Sequence, residues 1–370
     1  MGFIRENILK IIAFIVILTI MIIIFVFVFG RRGTFVKSYS NLELSLVNAA
    51  RKYTNDNQKL LPNTSDEVSK VNLDTLVNEN YIKDIYSIED KNVKCSGYVE
   101  ILYKNNDYEY IPYLKCGNLY ETKSFASYIK ENVNVVTSGD GLYKFNDTYV
   151  FRGENPKNYL LLGERLYRII DIKDNEIRLI SDKRLNTYFV WDDRYNTEKN
   201  STIGINDYSV SRIKESLEYI GKYNMVKGGK DAIFSPKELE KISTHDICIA
   251  KRDLSNGSID SYNECQKVEP NQKVSLITVS DYARASLDQN CKSIFDKSCV
   301  NYNYFSSMNS AFRTVTGVSN NTYQIYAIID GVATPSRAAT SFISNIVIYI
   351  DGLSLYSKGD GSYENPYIVR

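Results

Sequence analysis

Histidine occurs once and tryptophan once in this 370-residue chain. Histidine-based acid–base chemistry and a multi-histidine metal site therefore lack the residues they need. An excess of either charge is also missing: Lys and Arg number 45, Asp and Glu 44, for a net charge of +1. A chain with no basic field does not concentrate polyphosphate, so no nucleic-acid partner is expected. No P-loop, glycine-rich dinucleotide turn or C-x-x-C spacing occurs. That weakens the zinc and thioredoxin readings of the six cysteines. Proline is sparse at 7, whereas tyrosine reaches 30. Tyrosine and asparagine richness with little proline suits β-rich domains with polar surfaces.

What the chain has in excess is one apolar run. Residues 11–29, IIAFIVILTIMIIIFVFVF, carry no charge, and Thr19 is the only polar side chain. At about 1.5 Å per residue, such a helix matches a hydrocarbon core of roughly 30 Å. A signal-peptide apolar region is shorter, about 7–15 residues, and is followed by small residues. Here GRRG follows. Residues 1–33 are therefore expected to form a single-pass transmembrane anchor, meeting the lipid bilayer through residues 11–29. Arg5 and Lys10 flank one end, and Arg31, Arg32 and Lys37 the other, so charge alone leans slightly toward an inward body. The cysteines argue more strongly for the opposite orientation.

Cys95, Cys116, Cys248, Cys265, Cys291 and Cys299 fall into three local pairs. The first lies in CSGYVEILYKNNDYEYIPYLKC, where Asn105-Asn106 sits between alternating β-formers. Asparagine tolerates the positive φ of tight hairpin turns. A two-residue loop there sets Cys95 directly opposite Cys116. Both then share a face with Val99, Ile101, Tyr103, Tyr108, Tyr110, Pro112 and Leu114, while Ser96, Glu100, Glu109 and Lys115 share the other. Directly opposed residues lie about 4.5–5.5 Å apart, within disulfide range. Cys248–Cys265 and Cys291–Cys299 are paired by proximity alone. Disulfides persist in oxidising compartments, so the C-terminal body is expected to be extracellular, at the cell membrane.

After the anchor, Phe35, Tyr39, Leu42, Leu46, Ala49 and Tyr53 recur at helical spacing. A shorter helix is expected in VNLDTLVNENYI, with Leu73, Leu76, Val77 and Tyr81 on one side. The stapled hairpin follows. From 148 onward the rhythm is mostly of strands, with helices after a cap at Asp207 or Ser209 and after Ser280. Gly139-Asp140-Gly141-Leu142-Tyr143 is echoed by Gly359-Asp360-Gly361-Ser362-Tyr363. The echo reads as a bracket around one domain, with its first and last strands close together. The expected fold is α+β. A transmembrane helix (1–33) precedes a small domain of helix plus disulfide-closed antiparallel sheet (34–137). An antiparallel-sheet-rich domain (138–370) completes the chain.

Two resemblances add to this reading. GDGLYKFNDTYVFRGENPKNYLLLGERLYRIIDI resembles the opening of an uncharacterised domain of surface proteins from gut Gram-positive bacteria, typically N-Y-x-x-F-G-x-x-W-R-I-I. The KVSLITVSDYARAS segment, Trp191 and the terminal GDGSYENPYIV extend it over 138–370. Tyr167 stands where that family usually carries tryptophan. The resemblance implies a C-type-lectin-like or sulfatase-modifying-like fold and brings no established activity. Residues 1–137 resemble pilins more loosely: an apolar helix, an amphipathic continuation, then a disulfide-closed sheet. GFIRE is similar to a prepilin cleavage site, but Glu6 would stand fourth after the cut where pilins carry a fifth-position glutamate.

Other constellations have structural readings. His245 and Cys248 are three apart in a strand pattern, which points them to opposite faces. Glu269-Pro270-Asn271 resembles a calcium-dependent sugar-binding tripeptide of C-type lectins, but its partner motif is present only as Trp191-Asp192-Asp193, and upstream. LPNTS at 61–65 resembles a sortase signal, without an apolar tail after it. No catalytic, cofactor-binding or metal-binding residue is assigned. The leading expectation is a surface binding or interaction module with a glycan or protein ligand. The alternative is a structural subunit or assembly factor of a pilus-like fibre, with self-association. An enzyme is the third reading.

Overall fold

The computed structural model describes residues 39–64, 67–104 and 107–369. The expected anchor, 1–33 with its apolar run 11–29, lies outside them. Among the described residues no helix is long and apolar enough to cross a membrane. The architecture is mixed α+β and sheet-rich, 24% helix and 35% strand. Two compact units divide the described residues, the first ending at Thr122 and the second beginning at Lys123.

In the first unit, the helix Tyr39–Asp56 buries Leu46, Ala49 and Ala50, with Tyr39, Leu42 and Tyr53 packed around them. It lies on a four-stranded antiparallel sheet, ordered Val68–Asn72, Ser96–Lys104, Asp107–Cys116 and Tyr120–Glu121. Ser96 pairs with Lys115 and Lys104 with Asp107, the register of a two-residue loop. Val99, Ile101 and Leu114 turn inward beside the bonded Cys95 and Cys116, whose Cα atoms are 4.1 Å apart. Val71 and Asn72, which the sequence pattern places at the start of a helix, end the strand Val68–Asn72; the helix occupies Leu73–Asn78. Glu43 is a buried carboxylate on the packed face of the first helix. It accepts hydrogen bonds from the Tyr120 hydroxyl at 2.9 Å and from the Thr122 hydroxyl, so its charge is solvated by protein donors.

The second unit begins before 138. Ser124 caps the helix Phe125–Asn132, and the Phe125 amide donates to the Ser354 carbonyl at 2.7 Å. The Tyr128 ring stacks on Tyr356 at 3.5 Å. This helix thus packs with the C-terminal strands, ahead of the boundary drawn from the Gly-Asp-Gly motif. The main sheet has ten strands. Its spine runs Ile242–Ser243, Val347–Asp351, Glu176–Ser181, Arg165–Lys173, Tyr159–Leu162, Tyr367–Val369 and Tyr356–Lys358. Asp174, at φ 51°, turns the hairpin between Arg165–Lys173 and Glu176–Ser181. A three-stranded sheet of Ala311–Gly317, Gln324–Ile329 and Val332–Arg337 adds a second layer of core. Cys248–Cys265 and Cys291–Cys299 are bonded here, which leaves no free cysteine. The helix Arg212–Tyr223 is capped by Ser211, and Val279–Ala285 by Thr278; Asp207 caps only a short turn, and Ser280 is buried inside its helix.

The two Gly-Asp-Gly copies both engage the segment 154–159. Asp140 accepts the Glu154 and Asn155 amides at 3.0 and 2.9 Å, and Asp360 accepts the Ser362 amide at 2.9 Å. Gly361, at φ 79°, lies against the Lys157 carbonyl, where an added Cβ would sit 2.0 Å away. Its own carbonyl accepts the Tyr159 amide at 2.9 Å. The last strand, Tyr367–Val369, consequently runs parallel to Tyr159–Leu162. The first strand, Gly141–Phe145, joins the same sheet through its hairpin with Thr148–Arg152.

Candidate functional site

The hairpin of Tyr159–Leu162 with Arg165–Lys173 places Tyr159 opposite Arg168. Arg168 is 1% exposed and makes no ion pair among the described residues. Its Nε donates to Asn158 Oδ1 at 2.5 Å and its Nη1 to the Tyr159 hydroxyl at 2.8 Å. The guanidinium lies 3.9 Å from the Tyr159 ring centroid and 4.8 Å from that of Tyr304, a cation–π arrangement. Nη2 has no partner. Burial lowers the Arg168 pKa, and the two tyrosines offset part of the effect.

Tyr159 forms one wall of an open cleft of about 630 Å³. The loop Asp182–Asn186 forms a second wall, and Ser307, Met308 and Ile343 close it. Burial raises the Asp182 carboxyl above the usual carboxylate range, against the pull of Arg168 and Lys183. The segments around the cleft also hold Tyr304 Oη, Asn309 Nδ2, Ser344 Oγ and Asn345 Oδ1, all buried without hydrogen-bond partners. Buried polar groups are normally paired, so such a concentration marks a place where packing is subordinate to something else. Two exposed tyrosines adjoin residues of the cleft wall. Tyr363, from the second Gly-Asp-Gly copy, is 62% exposed and packs edge-on against Tyr159 at 5.4 Å. Tyr188 is 70% exposed and is paired across strands with Ile343. No family model, curated protein or solved structure matches this chain.

The residues singled out in the sequence lie elsewhere. His245 Nδ1 sits 2.7 Å from Glu176, its ring stacks on Tyr349 at 3.9 Å, and Cys248 is held by Cys265. Glu269 is engaged by Lys214 at 2.5 Å. Asp192 pairs with Arg194 at 2.5 Å and accepts the Ile205 amide at 3.1 Å, so it organises its own loop. Among the described residues no three His, Cys, Asp or Glu side chains group to hold a metal ion. Apart from Tyr159, the cleft residues carry no motif. Two sequence signals lie near them: Tyr159, within the NYLLLGERLYRII stretch, and Tyr363, inside the echo.

A dense cluster of charges among the described residues is structural. Arg178 bridges Asp171 and Asp281, and Arg284 reaches Asp281 at 3.1 Å, tying the helix Val279–Ala285 to the main sheet. Burial alone would raise the Asp281 carboxyl; Arg178, Arg284 and the Thr278 amide outweigh it and hold the pKa below the usual value. An acid with a depressed folded pKa stabilises the fold above its unfolded pKa of about 4, and that contribution is lost as pH falls through the folded value. Melting temperatures of the wild type and D281N across acid pH should therefore converge as pH falls. A constant difference between them would refute the assignment.

Proposed function

We propose that this protein is a single-pass, membrane-anchored surface module with an extracellular body, and that it binds a glycan in the cleft beside Tyr159. The observation that carries the reading is the cleft itself: an open groove lined by Tyr159, Asp182, Lys183, Arg184, Asn186 and Ser307, with exposed Tyr363 packed on Tyr159 and exposed Tyr188 paired with Ile343. Sugars present apolar ring faces and hydroxyl rims, which aromatic side chains and hydrogen-bonding groups match together. The Ser307 hydroxyl donates to the Tyr304 carbonyl at 2.8 Å, not to a base that could activate it, which favours binding over nucleophilic catalysis. Three disulfides support an oxidising location for the body. The resemblance of 138–370 to surface-protein domains, and to a C-type-lectin-like fold, is consistent with this reading.

The test is a glycan array probed with the protein, followed by Tyr188→Ala and Tyr363→Ala. Each substitution removes one exposed ring and should weaken retention about three- to tenfold. Failure to retain any glycan, or indifference to both substitutions, would sink the proposal. Topology is tested separately by protease shaving of intact cells and mass spectrometry without reductant. Recovery of Cys95–Cys116-linked peptides would support the extracellular orientation; protection of the whole body would refute it.

A second reading, a subunit or assembly factor of a pilus-like fibre, is favoured by the first unit. There an amphipathic helix lies on a disulfide-closed antiparallel sheet. On that reading the protein is recovered in sheared filaments and depends on a prepilin peptidase.

A further inference from the structure

A second, smaller cavity lies in the same unit, about 160 Å³ in volume, and one of its walls is Trp191. That volume would hold roughly five waters. Its chemistry is dominated by donors. Trp191 is fully buried and its Nε1–H makes no hydrogen bond. Tyr208 is also a wall residue, buried, with its hydroxyl unpartnered. Burial, followed by the charges of Glu269 and Glu218, raises its pKa, so the phenol stays protonated and able to donate. Those two carboxylates are both engaged by Lys214, at 2.5 and 3.7 Å.

Two ammonium groups, Lys251 and Lys267, complete the donor set. The first is positioned by Asn206. The Asn206 amide nitrogen donates to the carbonyls of Val318, Asn321 and Gln324 at 2.7, 2.6 and 2.8 Å. That fixes which end of the amide is oxygen, and Oδ1 accepts from Lys251 Nζ at 2.7 Å. Desolvation lowers the Lys251 pKa; Lys267 adds to the effect and Asp207 opposes it. Asp207 is the one acid in the wall, and its Oδ1 is occupied by the Ser209 amide at 3.1 Å and hydroxyl at 2.7 Å. Ile249, Val315 and the faces of Trp191 and Tyr208, whose centroids lie 6.3 Å apart, supply apolar surface.

We infer that this cavity binds a small carboxylate-bearing molecule, its carboxylate oxygens facing Lys251 and Lys267 and its short apolar part against Ile249, Val315 and the rings of Trp191 and Tyr208. Two cations with one acid in the wall suit a monoanion better than a dianion such as phosphate. The inference is independent of glycan binding at the Tyr159 cleft, since none of its residues lines that cleft.

Trp191 is the only tryptophan of the chain, so its fluorescence reports on this cavity alone. The experiment titrates the protein with sodium propionate at constant ionic strength, with sodium chloride and propionamide as controls. Propionate is expected to give a saturable change in Trp191 emission, and neither control should. Lys251→Gln and Lys267→Gln should each weaken binding about tenfold. Should K251Q unfold, the exposed Lys267 supplies the deciding variant. Binding should survive Y188A and Y363A, which separates this site from the cleft. The inference is overturned if propionate gives no saturable change, if propionamide acts equally well, or if K267Q binds like the wild type; the cavity would then be a water-filled space.

Discussion

Replacing Glu264 with glutamine is expected to cost about 3–5 kcal/mol of stability, the largest effect of any single substitution considered. Arg252 and Glu264 both have fully buried side chains and lie 3.0 Å apart. The Ser280 hydroxyl donates to both Glu264 oxygens, at 3.0 and 2.9 Å, and accepts from Arg252 Nη1 at 2.9 Å. Arg252 Nη2 is spent on the Asn256 and Ser258 carbonyls. The triad joins three segments: the loop after Cys248, the short helix Ser261–Gln266, and the helix Val279–Ala285. Glutamine keeps acceptor geometry but leaves the Arg252 charge in the core without its counter-charge. Burial raises the Glu264 pKa even against Arg252 and Ser280, so the ionised pair carries a net cost of desolvation. The double substitution R252M/E264L should consequently recover most of the loss. Urea denaturation followed by Trp191 fluorescence measures both. A single-variant loss below about 1 kcal/mol, or a double variant as unstable as the summed singles, would contradict the argument.

The second large effect is expected at the Cys95–Cys116 bond. Its sequence separation of 21 corresponds to roughly 3 kcal/mol of unfolded-state entropy in the chain model. The double variant C95A/C116A keeps the apolar face, including Val99, Ile101 and Leu114, but removes the staple. Amides of Ser96–Lys104 and Asp107–Cys116 should then exchange with solvent about 100-fold faster, the equivalent of that free energy. Hydrogen exchange read by mass spectrometry is the appropriate measurement, because it reports on the hairpin itself. Unchanged protection in these strands would mean that side-chain packing alone maintains the sheet.

Legibility in the sequence followed the range of the interactions. The hairpin register needs only an Asn-Asn turn and a period of two, both within about twenty residues, and the observed pairing of Ser96 with Lys115 follows from it. Leu42, Leu46, Ala49 and Tyr53 mark their helix because a periodicity of 3.6 is written locally. The strand Val68–Asn72 carries no comparable signal. It is extended because Val68 meets Leu102 and Asn72 meets Tyr98, thirty residues or so along the chain. Thr278, not Ser280, caps its helix for a related reason: Ser280 is drawn inward by Glu264, a partner sixteen positions away.

The cleft was illegible for the same physical reason in stronger form. Tyr159, Asp182, Ser307 and Ile343 come from four distant segments, and Arg168 is held by a neutral asparagine and tyrosines, not by an acid a motif could flag. By itself the sequence determined what short-range chemistry dictates: the apolar run at 11–29, the three cysteine pairs, the hairpin register, the first helix and the α+β class. Tertiary structure alone decided which echo copy meets which strand, where the second unit begins, and which polar groups are buried without partners. Those outcomes depend on long-range strand pairing and desolvation, and neither is encoded in any short stretch of residues.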